Sequence, residues 1–149
     1  MAFTKATKKK AKLRIALEAP SGFGKTYTAL LVATQLLEGT GKRIAYLDTE
    51  GRGQGSAAKY AHRFDFDVDE IKAPFDPARI IESINDAIAG DYGAWICDSW
   101  SHFWTGEGGM LEIVDRISRT KYRGDSHRAW GDEAVGGLEQ RVLDALSSV

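Results

Sequence analysis

Short apolar runs alternate with stretches of helical spacing through most of this chain. Leu13-Arg14-Ile15-Ala16-Leu17 predicts a strand, and a helical pattern opens at Lys25. Positions Leu30, Leu31, Ala33, Thr34 and Leu37 then recur at helical spacing and predict a helix to about Glu38. Gly39-Thr40-Gly41 stops it, as glycine just past a helix end commonly does. Arg43 to Asp48 predicts a second strand, apolar enough to be covered on both faces as parallel strands are. Gly51 to Ser56 is a glycine-rich loop, followed by a helix from Ala57 to Arg63 and a short strand within Asp67 to Ala73. Asp76-Pro77 reads as an N-cap with proline at the first helical position. Ile80, Ile81, Ile84 and Ile88 form one apolar face up to Gly90, and Ala94 to Asp98 is another buried strand. The polar, glycine-containing stretch 118–137 predicts irregular structure, and Leu138 to Leu146 a short closing helix. Strands alternating with helices predict an α/β fold, a parallel sheet with helices on both faces, in one domain over 1–149.

Composition narrows the class. The 149 residues are 43% hydrophobic and 28% charged, which fits a folded globular domain and argues against disorder. A net charge of −1 provides no global basic field for nucleic acid. The single Cys97 excludes an internal disulfide and fits a reducing compartment, the cytoplasm. No apolar stretch is long enough to span a bilayer, so no membrane partner is expected. Residues 1–12 are basic but lack the apolar core of a signal peptide. Lys5, Lys8, Lys9, Lys10 and Lys12 could touch a phosphate backbone; without interleaved aromatic residues, a solvated lead-in is the favoured reading.

The chemistry centres on Ala19-Pro20-Ser21-Gly22-Phe23-Gly24-Lys25-Thr26, set between the first apolar run and the first helix, with Tyr27 in that helix's first turn. Strand, glycine loop and helix in this order form a phosphate-binding P-loop. Glycines let successive backbone N–H groups turn toward one point, where the helix also presents its positive end. Lys25 is placed to reach the β- and γ-phosphates of a nucleotide such as ATP, and the Thr26 hydroxyl to ligate Mg²⁺. Ala19 stands where the pattern has its first glycine and is the smallest replacement for it. Asp98 ends an apolar strand, a Walker-B pattern that delivers a carboxylate to the sheet edge where the metal is held jointly with the P-loop hydroxyl. The bland alternatives are a chance Gly-Lys-Thr turn and an aspartate capping the next turn; the two motifs together disfavour both.

Tyr46-Leu47-Asp48-Thr49-Glu50 and Lys59-Tyr60-Ala61 precede Asp98 in the order seen in RecA-like ATPases, which the chain resembles. The resemblance narrows to the phage-encoded, RecA-like AAA-family ATPases. It is carried by Phe3 to Thr7, Pro20 to Leu30, Phe64 to Val68, and Asp98-Ser99-Trp100-Ser101-His102-Phe103-Trp104 followed by Gly106-Glu107-Gly108-Gly109. It covers the chain to about Trp130. It implies a P-loop NTPase fold, ATP and Mg²⁺ as cofactors, and Glu50 as the residue that polarises the attacking water. It also implies a place in phage DNA recombination or single-strand DNA handling, in the cytoplasm of a bacterial host. The partners implied are single-stranded DNA, further copies of the chain, or phage recombination proteins. Two departures stand out. The loop at Gly51, Gly53 and Gly55 is longer than the family's Arg-Gly-Ser turn. The strand expected after Leu138–Leu146, bearing a polar γ-phosphate sensor, is not in the 149 residues. In the family it lies between the P-loop and Walker-B strands, so the resemblance implies a truncated chain and an incomplete sheet.

Other residues have plain readings beside sharper ones. His102 could meet nucleotide or a neighbour, though a histidine between apolar residues is commonly packed. Trp95 reads as core, while Trp100 and Trp104 could stack on bases or fill an interface. Cys97 reads as an inert small hydrophobe. Arg116, Arg119, Lys121, Arg123 and Arg128 could bind phosphates, act as an arginine finger, or form a solvated face, the default. The competing functions are a nucleotide-binding module without turnover and a P-loop small-molecule kinase, with 116–128 imitating a lid.

Overall fold

A computed structural model describes residues 12–51 and 57–148. Lys5 to Lys10, Phe3 to Thr7 and the loop glycines Gly53 and Gly55 therefore lie outside the described residues. The elements are α1 (Lys25–Leu37), β1 (Ile44–Asp48), a 3₁₀ turn (Ala58–Tyr60), β2 (Phe66–Glu70), α2 (Ala78–Ala89) and β3 (Ala94–Asp98). Four helices follow: α3 (Ser101–Thr105), α4 (Met110–Lys121), α5 (Ser126–Trp130) and α6 (Glu133–Ser148). The protein is mixed α/β, with a three-stranded parallel sheet in the order β2-β1-β3 flanked by helices.

The central strand β1 is the most buried, with Ile44 2% and Leu47 0% exposed. Each such side chain contributes roughly 1.5–3 kcal/mol. Side-chain alternation sends Tyr46 to one face and Leu47 to the other. Tyr46 packs with Leu30, Ala57 and Phe64, under α1 and the 3₁₀ turn. Leu47 packs with Ile71, Ile80, Ile84, Phe103 and Val142, under α2, α3 and α6. A separate cluster of Met110, Val114, Ile117, Ala129, Val135 and Leu138 joins α4, α5 and α6.

α2 buries Ile80, Ile84 and Ala87. The buried stripe thus continues through Ala87, and Ile88 is left 49% exposed, contrary to the sequence expectation. The N-cap is Pro77 rather than Asp76, and the helix starts at Ala78, whose N–H the Asp76 carboxylate accepts at 2.9 Å. The expected helix at 57–63 is only the short 3₁₀ turn, and β2 begins at Phe66 and ends at Glu70. β3 is half-buried rather than buried, because it pairs only with β1 among the described residues.

Two expectations fail outright. Residues 13–17 are not a strand, and Leu13, Ile15 and Leu17 are 63%, 54% and 41% exposed. A strand needs a ladder partner, and no described residue supplies one. The segment is instead held by its cations at the C-terminal carbonyls of α6. Arg14 donates to Leu146 and Ser147 at 2.9 and 2.8 Å, and Lys12 to Ser148 at 2.5 Å. Unpaired carbonyls at a helix end attract such donors. Residues 118–137 are not irregular: they hold the end of α4, all of α5 and the start of α6. Their stability is tertiary and polar. Asp125 caps α5 through the Arg128 N–H. Buried Asp132 accepts from Lys121, the Tyr122 hydroxyl and the Ala134 N–H at the head of α6. α6 therefore begins at Glu133 rather than Leu138 and carries Gly136 and Gly137 inside it.

Candidate functional site

The carboxyl ends of the three strands meet in register, Asp48 opposite Glu70 on one side and Asp98 on the other. Parallel register places these carboxylates on one face, in strands about 4.8 Å apart. The face is that of α1. Thr26, in the first turn of α1, donates its hydroxyl to Asp98 Oδ2 at 2.6 Å. Tyr46 donates to the same oxygen at 2.6 Å. The two residues expected to share a metal are thus brought together across 72 positions of sequence.

The loop before α1 is exposed from Pro20 to Phe23, and Phe23 reaches 74%. Gly22 and Gly24 have φ of 83° and 81°, and Gly24 is the N-cap of α1. No described side chain caps this end and its first turn holds no acidic residue; the carboxylate beside it is that of Asp98, at Thr26. Lys25 folds back on the loop, donating to Ala19 and Pro20 carbonyls at 2.7 and 3.1 Å. Ser21 is exposed beside it. The Tyr27 ring joins an aromatic cluster with Tyr60 and Phe64, at centroid distances of 5.8 and 5.4 Å. Its side chain is therefore a packing element of α1.

Asp48 is fully buried. Its Oδ1 accepts the Glu50 N–H at 2.8 Å, while Oδ2 has no hydrogen-bond partner among the described residues. Burial pushes its carboxyl above the usual range, and the nearby charges of Asp98 and Glu70 add to this. Tyr46 is likewise pushed up, by burial first and then by its bond to Asp98. Among the described residues no group of three or more His, Cys, Asp or Glu side chains could hold a metal by itself. The Thr26 hydroxyl and Asp98 carboxylate fit Mg²⁺, an ion usually bound by one or two carboxylates with phosphate oxygens and water.

Glu50 is exposed and lines a cavity of about 440 Å³ with Thr49, Lys72, Phe75 and His102. His102 is more than a packed histidine. Its Nδ1 lies 2.8 Å from the Thr49 hydroxyl, and its ring stacks on Phe75 at 4.9 Å. Thr49 also bridges to Ser99, through the N–H at 2.7 Å and the carbonyl at 3.0 Å. The glycine turn after α3 presses on the same place. Gly108 has φ of 76°, and a Cβ there would lie 2.6 Å from Pro74; one at Gly106 would lie 2.8 Å from the Phe75 ring. Only glycine allows that approach. Phe75 and Lys72 escape notice in the sequence, and Thr49 is legible there only as the middle residue of Asp48-Thr49-Glu50. The dense segment from Asp98 to Gly109 is the signal that could have exposed them, since its histidine and glycines converge on this loop.

The remaining candidates divide. Trp95 is partly buried and donates to Ser83 at 2.9 Å. Trp100 and Trp104 are each 40% exposed, and Trp104 stacks on Trp130 at 5.6 Å. Burial pushes the Cys97 thiol up to about 12, so it stays protonated. The basic cluster is largely engaged within the fold: Arg119 pairs with Asp115, Lys121 with Asp132, and Arg128 lies over Tyr122. No helix among the described residues is long and apolar enough to cross a membrane. Comparison of the chain with protein-family models, curated proteins and solved structures returns no match.

Proposed function

We propose that this chain is a RecA-like P-loop domain that binds Mg·ATP and hydrolyses it. The observation that carries the reading is the 2.6 Å contact between Thr26 and Asp98, the two side chains that would share Mg²⁺. Lys25 and the backbone N–H groups of residues 21–24 would hold the phosphates, with the N-terminus of α1 behind them. Thr26 and Asp98 would hold Mg²⁺, which when bound offsets charge on the phosphates. Glu50, anchored through its N–H to Asp48, would orient the attacking water. Catalysis in such a site is positioning and charge stabilisation. Lys25 must leave the Ala19 and Pro20 carbonyls to reach a phosphate, which costs two hydrogen bonds that the phosphate replaces with charge-assisted ones.

Service in phage DNA recombination or single-strand DNA handling rests on the resemblance, and the exposed indoles of Trp100, Trp104 and Trp130 are the surface that suits it. A second reading, nucleotide binding without turnover, is favoured by the unpaired segment 13–17, which leaves the P-loop without a strand behind it. Titration calorimetry with Mg·ATP tests the site: Lys25→Ala is expected to remove most binding, and equal affinity in both proteins rejects it. Phosphate release, measured with and without single-stranded DNA and small acceptors, separates hydrolase, silent module and kinase.

A further inference from the structure

The cavity beside Glu50 contains none of the P-loop residues among its lining side chains. Its polar equipment is unusual for a mere surface dent. The Thr49 hydroxyl has three partners: Ser99 N–H, Ser99 carbonyl and His102 Nδ1. All three are satisfied together only if the hydroxyl donates to the Ser99 carbonyl and accepts from both Ser99 N–H and an Nδ1–H. That assigns the tautomer and leaves His102 Nε2 without a hydrogen-bond partner among the described residues. Stacking on Phe75 fixes the ring plane. Lys72, at the same cavity, has no ion pair or hydrogen bond among the described residues. A cation, Lys72, and a hydrogen-bond acceptor, His102 Nε2, thus line a space that Glu50 also lines. Glu70 adds a second carboxylate close by, its Cδ 3.3 Å from where a Gly51 Cβ would stand.

We propose that this cavity is a site for a protonated tetrahedral oxyanion, inorganic phosphate, held by Lys72 and His102 and selected by Glu50. Lys72 donates to the charged oxygens. Neutral His102 Nε2 accepts from a P–OH group. The Glu50 carboxylate repels a fully deprotonated anion and accepts a hydrogen bond from one that keeps a hydroxyl. Dihydrogen phosphate, present at neutral pH, keeps two, one for Glu50 and one for His102 Nε2, and sulfate keeps none, so the site discriminates between them. As a binding site it stands without the hydrolysis reading. On that reading it is where the phosphate cut loose beside Glu50 is received, away from Lys25.

The test uses the full chain, with inorganic phosphate and sulfate titrated at matched ionic strength and the His102 imidazole resonances followed by NMR. Phosphate is expected to shift them saturably in the wild type and equally in Lys25→Ala. Sulfate should bind at least about tenfold more weakly, the scale of one charge-assisted hydrogen bond. Lys72→Ala should weaken phosphate by about tenfold, and Glu50→Gln should erase the preference over sulfate. Both substituted side chains are exposed, so the fold should survive. The proposal is overturned if His102 shows no saturable shift, if the shift vanishes in Lys25→Ala, or if wild type binds both anions alike. Failure of the wild type to bind ATP, or equal ATP affinity in wild type and Lys25→Ala, with the phosphate response intact would reject the P-loop reading alone.

Discussion

Asp48→Asn isolates the cost of the buried carboxylate at the centre of the strand-end row. Asp48 is 0% exposed, its Oδ2 has no hydrogen-bond partner among the described residues, and Asp98 and Glu70 flank it in register. The substitution keeps Oδ1 for the Glu50 N–H and places an amide where the orphan oxygen is, so it can donate to a neighbouring carboxylate. A buried unsatisfied polar group costs about 1–3 kcal/mol, and the variant should recover about that much at neutral pH. The sign follows from linkage. A carboxyl whose folded pKa is raised contributes stability below its unfolded pKa and loses it as pH rises through the folded value. Asparagine imitates the protonated form at every pH. Urea unfolding of the protein without nucleotide should therefore give a variant more stable than wild type at about pH 7 and matched to it near pH 4, the ordinary carboxylate value. A variant destabilised by the same amount at both pH values would refute the reasoning, since it would mean that the charged Oδ2 is stabilised by its surroundings.

Glu50→Gln should leave ATP affinity nearly unchanged in calorimetry and slow steady-state phosphate release by at least about tenfold, because it removes a charge that acts on the transition state; unchanged turnover removes Glu50 from the mechanism. Asp132→Ala should lower the melting temperature at neutral pH, because one carboxylate holds Tyr122, the Ala134 N–H and Lys121 at the junction of α4 and α6. Those same bonds hold its carboxyl below the usual range, the Tyr122 hydroxyl foremost. This stability is present above the unfolded pKa and lost as pH falls through the folded one, so the gap between variant and wild type should narrow in acid. A gap that widens in acid contradicts the assignment.

Local signals in the sequence were enough for α1, β1, α2 and β3, whose observed bounds match the periodicity within a residue or two. Each is a short apolar run or a clear helical stripe, closed by glycine, proline or a capping aspartate, and those are properties of neighbouring residues. The pairing of Thr26 with Asp98 was legible for the same reason: a loop before a helix and an aspartate ending a strand both have to arrive at one sheet edge. Four outcomes were decided only by tertiary structure. Leu13 to Leu17 has a strand's composition but no ladder partner among the described residues, and strand pairing is a property of the neighbour. The helices within 118–137 depend on Asp132, whose partners lie up to 11 positions away, so no window of periodicity shows them. The orphan oxygen of Asp48 arises from burial among strands 22 and 50 residues distant in register, which no local pattern encodes. The cavity at His102 needs Thr49 from β1's exit, Phe75 from the approach to α2 and the turn after α3 packed on one another. Sequence determines which residues can act; contacts between distant segments decide which of them share a space.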